Sequence, residues 1–507
     1  MVAFSNSAVV AVIGAGAMGA GIAQVAATYG HPVWLFDVRE GAAAQSCEKL
    51  RETFARLVNK GRMSTEQAAH ASGALRVAET LEQVADAELI IEAIVEDLPA
   101  KQRLFLQLEE IVSSQTLLAT NTSSVSITAI ASPLAYPQRV AGLHFFNPAP
   151  LMKLVEVVSG LATSDVTRHK LFDTAKAWGK EAVFARSSPG FIVNRVARPF
   201  YAEGLRLLEE GVADIATLDA IIREGGGFRM GPFELMDMIG HDVNYAVTCT
   251  VFNAYFQDPR FKPSLAQQEL VSAGRLGRKS GRGFYEYGDT AREYVAATEL
   301  PGPRPASILV EGDLGAAQPL VSAWQAAGIA VDFAPGNGVI RLPGCALAFS
   351  DGRSATLRSA DEKIDDLVLF DLALDFANPG RLAIAKADQA SIQALTVAAG
   401  LLQTAGWSVT RIDDAPGLVV LRTVAMLANE AADTVLQGVA SAHDIDEAMS
   451  FGVNYPKGPL AWASQLGTSL IASVLQNLQV HYGEDRYRPS ALLKRLAITG
   501  IEFTSKS

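Results

Sequence analysis

Short apolar runs rich in β-branched residues punctuate the first part of the chain: "AVVAVI" (8–13), "HPVWLFD" (31–37), "AELIIEAIVED" (87–97), "TLLATNTSSVS" (116–126) and "RVAGLHFF" (139–146). They show little polar alternation, as expected of strands covered on both faces. Between them lie an Ala-rich stretch to Tyr29, a charged helical segment to about residue 82, and "LPAKQRLFLQLEEI" (98–111). Strand and helix in regular alternation predict an α/β doubly wound sheet, whose ligands bind beyond the carboxyl ends of the strands.

Those strand ends carry the candidate chemistry. The first runs into Gly14-Ala15-Gly16-Ala17-Met18-Gly19 and then a helix, and the second ends in Asp37. In such a turn the first glycine permits the bend, the second lets backbone approach a pyrophosphate, and the third lets helix pack on strand. The free N–H groups and dipole of the helix suit a diphosphate. An acid some twenty residues on accepts from the ribose hydroxyls and repels a 2′-phosphate, so Asp37 favours NAD over NADP, with Arg39 as the opposing feature. Glu96, Asn121 and Ser123 fall at further strand ends. His144 closes another strand, and Glu156 follows in "LVEVV". A histidine there could take a hydroxyl proton as hydride leaves the same carbon, and a carboxylate on its far nitrogen would fix the tautomer. By spacing alone, a hydrogen-bonded structural histidine is the alternative.

Bulk properties narrow the class. With 507 residues, 49% of them apolar, the chain has room for three or four domains. A net charge of -11 disfavours nucleic acid as a partner. Cys47, Cys249 and Cys345 are too scattered for a disulfide framework or a zinc site, so no metal and a reducing, cytoplasmic address are expected. No apolar run reaches the ~18 residues of a membrane span, and the glycines of the apolar N-terminus argue against a signal helix.

The motifs "GAGAMGAGIA", "EAIVEDLPAKQRLF", "NTSSVSIT", "GLHFFNPAPLMKLVEVV", "PGFIVNRV" and "GPFELMDMIG" resemble the 3-hydroxyacyl-CoA dehydrogenase family in order and spacing across residues 8 to 287. "GRKSGRGFYEY" resembles the close of that family's helical domain. The resemblance implies NAD-dependent, reversible oxidation of (3S)-3-hydroxyacyl-CoA. His144 would be the base, Glu156 its orienting carboxylate, and Ser123 and Asn194 the groups holding the substrate oxygen. Glu96 and Lys101 would line the nicotinamide side, with Gly14, Gly16, Met18, Gly19, Asp37 and Asn121 in the rest of the NAD site. Lys60 and Arg62 in "LVNKGRM" are candidates for the coenzyme A phosphates. Long chains carrying "GVNYPKGPLAW" are similar to the 3-hydroxyadipyl-CoA dehydrogenases of phenylacetate breakdown; 3-hydroxybutyryl-CoA or general fatty-acid substrates stay open. A terminal carboxylate would need a cation, and Arg198, Arg229 and Lys153 stand as equal candidates. A non-catalytic NAD-binding protein is the reading from another class.

Residues 189 to 240 overlay 416 to 467 without a gap at a constant offset of 227, pairing Arg195 with Arg422, Glu203 with Glu430, Gly211 with Gly438 and Asp219 with Asp446. Such register indicates an internal duplication. Upstream, "LVEGDLGAAQPL" from Leu309 echoes the glycine turn and "DFANP" (375–379) echoes "HFFNP". On that alignment Gly16 becomes Leu314, Gly19 Ala317, Asp37 Pro335, His144 Asp375 and Asn194 Leu421, leaving a copy without chemistry. The expected organisation is a Rossmann-like NAD domain (1–186), an all-α helical domain (187–290), a Pro-rich linker (291–307), a degenerate Rossmann-like domain (308–411) and a second helical domain (412–507). Residues 412 to 490 are expected to pack on 187 to 290, making a pseudo-dimer within one chain at high effective concentration, with further homo-oligomerisation open.

Overall fold

The computed structural model describes residues 2–289 and 291–503. They fall into two compact units, one of Met1–Arg195 with Gln437–Val453 and one of Val196–Leu436 with Asn454–Ser507.

The first unit is built on an eight-stranded sheet. In chain order its strands are β1 (Val10–Ile13), β2 (Val33–Phe36), β3 (Leu75–Val77), β4 (Leu89–Glu92), β5 (Leu117–Thr120), β6 (Val140–Phe145), β7 (Leu154–Ser159) and β8 (Glu181–Arg186). The spatial order 3-2-1-4-5-6-7-8 places a switch point between β1 and β4. β1 to β6 are parallel, β7 runs antiparallel to β6, and β8 is parallel to β7. Every residue of β1, β4, β5 and β6 is buried, which is why those runs lack polar alternation. Helix Ala17–Thr28 follows β1, and helix Leu98–Ile111 follows β4. Asp97 starts the latter by accepting the Ala100 N–H at 2.8 Å.

The second unit carries a seven-stranded sheet: β9 (Ser307–Glu311), β10 (Ala330–Ala334), β11 (Val339–Leu342), β12 (Cys345–Phe349), β13 (Leu367–Phe370), β14 (Arg381–Lys386) and β15 (Ser408–Arg411), in the order 10-9-11-12-13-14-15. β11 lies antiparallel to both β9 and β12, so a hairpin strand occupies the place that β4 holds in the first sheet. The Pro-rich segment before β9 is strapped down: Glu299 N–H donates to Val409 O at 2.8 Å and Gly302 N–H to Gln403 Oε1 at 2.7 Å.

The offset of 227 extends well upstream of the helical segments. β7 (Leu154–Ser159) matches β14 (Arg381–Lys386), and helix Asp165–Ala177 matches helix Ile392–Thr404. Ladder register agrees, since Leu143 pairs with Val157 in one sheet and Phe370 with Ile384 in the other. His144 therefore corresponds to Asp371, not to Asp375 as the "DFANP" echo suggested, and Glu156 to Ala383. Turn residues such as Asn-Pro recur wherever strands end, whereas register is fixed by burial. Asp371 is fully buried and accepts N–H groups from Val419 (2.9 Å), Val420 (2.7 Å) and Leu421 (3.0 Å). Burial pushes its carboxyl up to about 6. The joint it braces repeats too: Phe191 and Leu418 both hold a left-handed backbone, with φ of 46° and 52°.

Each copy also gives a helix to the other copy's sheet. In the first unit, helix Ala442–Val453 packs on β7 and β8 so closely that a Cβ on Gly452 would lie 2.6 Å from Leu154 Cδ2. In the second unit the counterpart stretch Ile215–Gly225 packs on β14, where a Cβ on Gly225 would lie 2.5 Å from Arg381 O. Reciprocal exchange of this kind is the pattern of an isologous contact. Within the second unit, helix Arg198–Glu209 packs on helix Val420–Leu436, and Arg422 meets Glu203 at 2.7 Å with both side chains buried. Gly452→Val should cost about 1–3 kcal/mol by overpacking against Leu154, read as a lower urea midpoint; an unchanged midpoint would show the contact to be loose.

Candidate active site

Antiparallel pairing sets His144 directly opposite Glu156 across β6 and β7. Residues so opposed share a sheet face with Cβ atoms about 5 Å apart, and here His144 Nδ1 lies 2.6 Å from Glu156 Oε2. The other carboxylate oxygen accepts the N–H groups of Ile192 (3.1 Å) and Val193 (3.0 Å), where the chain enters the short helix Val193–Val196. Glu156 is fully buried. An imidazole that donates from Nδ1 to a carboxylate presents its Nε2 lone pair on the opposite side of the ring. Phe146 and Phe191 flank the ring at centroid distances of 4.5 and 5.8 Å. Nε2 bonds to no described residue, and Asn194 sits half-buried on the helix that Glu156 anchors.

A second carboxylate organises the loop after β5. Glu96 Oε1 accepts from Thr122 Oγ1 (2.6 Å), Ser123 N–H (2.9 Å), Ser124 N–H (3.0 Å) and Ser124 Oγ (2.9 Å). Burial opposes its charge, but the Thr122 hydroxyl, the Lys101 ammonium and the loop N–H groups outweigh it and hold Glu96 below the usual carboxylate range. Lys101 is fully buried, with Nζ 2.6 Å from Glu92 Oε1 and 3.3 Å from Glu96 Oε2, so it braces Glu96 from beneath. Glu92 also accepts from Thr120 Oγ1 at 2.6 Å and Ile94 N–H at 2.7 Å. The sequence reading gave Glu92 no role, although a lone acid inside an apolar strand was its signal. Asn121 Oδ1 accepts the Phe145 N–H at 2.8 Å, tying this loop to the end of β6.

The glycine turn fits a dinucleotide. A Cβ on Gly19 would lie 1.7 Å from Gly14 O, whereas one on Gly16 would meet nothing within 4 Å, leaving open backbone where a pyrophosphate would approach. Helix Ala17–Thr28 begins without a side-chain cap, so its first N–H groups are free for an anion, and Met18 packs on the core from its first turn. A cleft of about 700 Å³ lined by Gly14, Gly16, Asp37, Arg39 and Ile94 continues from the turn. Asp37 accepts from Ala15 N–H at 2.8 Å and from Arg39 at 3.0 and 3.1 Å, and the Arg39 guanidinium brings its carboxyl down to about 2. Lys60 and Arg62 lie exposed on the turn after helix Ala42–Asn59, joined to no site residue. Among the described residues no cluster of three or more His, Cys, Asp or Glu side chains could hold a metal.

Comparison with known proteins decides the class. Residues 9–188 match the NAD binding domain of 3-hydroxyacyl-CoA dehydrogenase, and residues 190–287 and again 417–503 match its C-terminal domain. The chain belongs to the 3-hydroxyacyl-CoA dehydrogenase family. It is thus an NAD-dependent dehydrogenase carrying the helical domain twice, as the duplication implied. Residues 347–416 match the reduced Rossmann-fold domain of 3-hydroxybutyryl-CoA dehydrogenase, in keeping with the shortened second sheet. The 3-hydroxyadipyl-CoA dehydrogenase of Escherichia coli K12 is 45% identical over 493 residues, covering 97% of this chain and 98% of the relative. Human mitochondrial hydroxyacyl-coenzyme A dehydrogenase is 41% identical over 285 residues, covering 55% and 90%. A crystal structure of 3-hydroxybutyryl-CoA dehydrogenase from E. coli K12 superposes with a TM-score of 0.89 at 44% identity, covering 98% and 99% of the two chains. Among the described residues no helix of the dehydrogenase is long and apolar enough to cross a membrane. Because Asp37 stays ionised at working pH, Asp37→Ala should raise the NADH dissociation constant about tenfold in a fluorescence titration; an unchanged constant would remove Asp37 from the ribose site.

Proposed function

We propose that this dehydrogenase reversibly oxidises (3S)-3-hydroxyadipyl-CoA to the 3-oxo thioester, with His144 as the base. The observation that carries this is the Glu156 carboxylate, bonded through one oxygen to His144 Nδ1 and through the other to the helix start. Bound NAD supplies the hydride acceptor. Nε2 takes the proton of the C3 hydroxyl, and Glu156 stabilises the imidazolium that results. The Ser123 hydroxyl and Asn194 amide donate to the substrate oxygen as it becomes a carbonyl. In the reverse direction His144 returns the proton. Glu96, held by Lys101, keeps the 122–124 loop in position, and Lys60 with Arg62 meets the coenzyme A phosphates.

The dicarboxylyl substrate is favoured by the E. coli relative, whose likeness runs nearly the whole length of both chains. A 3-hydroxybutyryl-CoA substrate is the second reading, carried by the name of the superposed crystal structure. Three unpaired cysteines accord with a cytoplasmic address. Reciprocal helix exchange supports the pseudo-dimer and gives the inert copy a purpose. His144→Gln should lower kcat by about 10²- to 10⁴-fold with acetoacetyl-CoA and NADH, while the NADH dissociation constant holds. Parallel loss of NADH binding would make His144 a structural residue instead.

A further inference from the structure

One guanidinium of the second unit has no carboxylate to meet. Arg198, buried on helix Arg198–Glu209, donates from Nη1 to Thr248 Oγ1 at 3.1 Å and lies 4.8 Å from the Tyr201 ring centre. Its Nε is buried without a hydrogen-bond partner, and no described acid lies within ion-pair distance. A buried charge left so is costly unless something else satisfies it.

Arg198 lines a cavity of about 150 Å³ with Tyr201, Ala202, Leu205, Phe261 and Leu265. Water takes about 30 Å³ apiece in the liquid, so this space suits a short aliphatic group bearing one carboxylate. The other guanidiniums around it are engaged. Arg206 meets Glu484 at 3.1 Å, Arg486 meets the same acid at 2.7 Å, and Arg260 meets Glu430 at 3.0 Å. Glu209, on the rim, accepts from Ser264 at 2.6 Å.

The duplication supplies an internal control. At the offset of 227, Arg198, Tyr201 and Thr248 become Ala425, Ala428 and Leu475, all fully buried. In the second copy the helical fold closes at this place with apolar residues alone, so the fold itself does not call for a cation here. Lys153 and Arg229, which the sequence could not separate from Arg198, are both exposed.

We propose that this pocket binds the carboxylate end of a short aliphatic chain, with Arg198 as its cation. The chain is that of a free dicarboxylic acid, with adipate as the probe. The test uses the full-length enzyme and its Arg198→Met and Arg198→Lys variants, and reads the melting shift that adipate produces in each. Adipate is expected to raise the melting temperature of the wild type, to raise that of Arg198→Lys less, and to leave that of Arg198→Met unmoved. Should the methionine variant not fold, the lysine variant carries the readout, with a partial loss of the shift expected. An adipate shift that is absent from the wild type, or equal in every variant that folds, overturns the proposal.

Discussion

Glu156 holds two elements at once. One oxygen fixes the imidazole of His144 and the other fixes the backbone where the chain leaves the first sheet for its helical segment. The His144 imidazole and the start of helix Val193–Val196 are thereby set by a single buried carboxylate. Water cannot replace these bonds at a fully buried site, so the geometry is stiff. Around this point the rest is support: the β6–β7 ladder that opposes 144 and 156, and the Glu92–Lys101–Glu96 network that shapes the neighbouring loop.

The second copy shows which part of that arrangement is structural. It keeps the strained joint and a carboxylate gripping the corresponding helix start, at Val419, Val420 and Leu421 where Glu156 takes Ile192 and Val193, but supplies the acid from β13's end as Asp371 rather than from the facing strand. Ala383 stands where the acid was and no imidazole remains. Both copies thus brace the strand-to-helix joint with a buried carboxylate, and the first couples that brace to a histidine. Helix exchange ties the second copy to the first, since helix Ala442–Val453 covers β7 and β8.

Much of this was legible in the residues. Uniformly apolar runs announced buried parallel strands, and Gly14, Gly16 and Gly19 announced the turn because only hydrogen fits at position 19. The twelve-residue interval between His144 and Glu156 could be read as strand, turn and strand, but only ladder register could make them direct neighbours. Letters alone misled at "DFANP", where a similar turn composition imitated homology four residues out of register. Helix exchange was invisible because an apolar helix face does not name the sheet that covers it. Arg198, Arg229 and Lys153 were indistinguishable for a related reason: burial, the property that separates them, comes from distant parts of the chain.

The most direct measurement of the central claim is single-turnover hydride transfer in Glu156→Gln. A glutamine can still accept from the helix N–H groups, but its amide donates to Nδ1 and reverses the tautomer, putting the proton on Nε2. An intact fold, wild-type NADH affinity and a hydride-transfer rate reduced about 10²-fold or more are expected. A rate within threefold or so of wild type would contradict that claim, because His144 would then need no carboxylate to serve as the base.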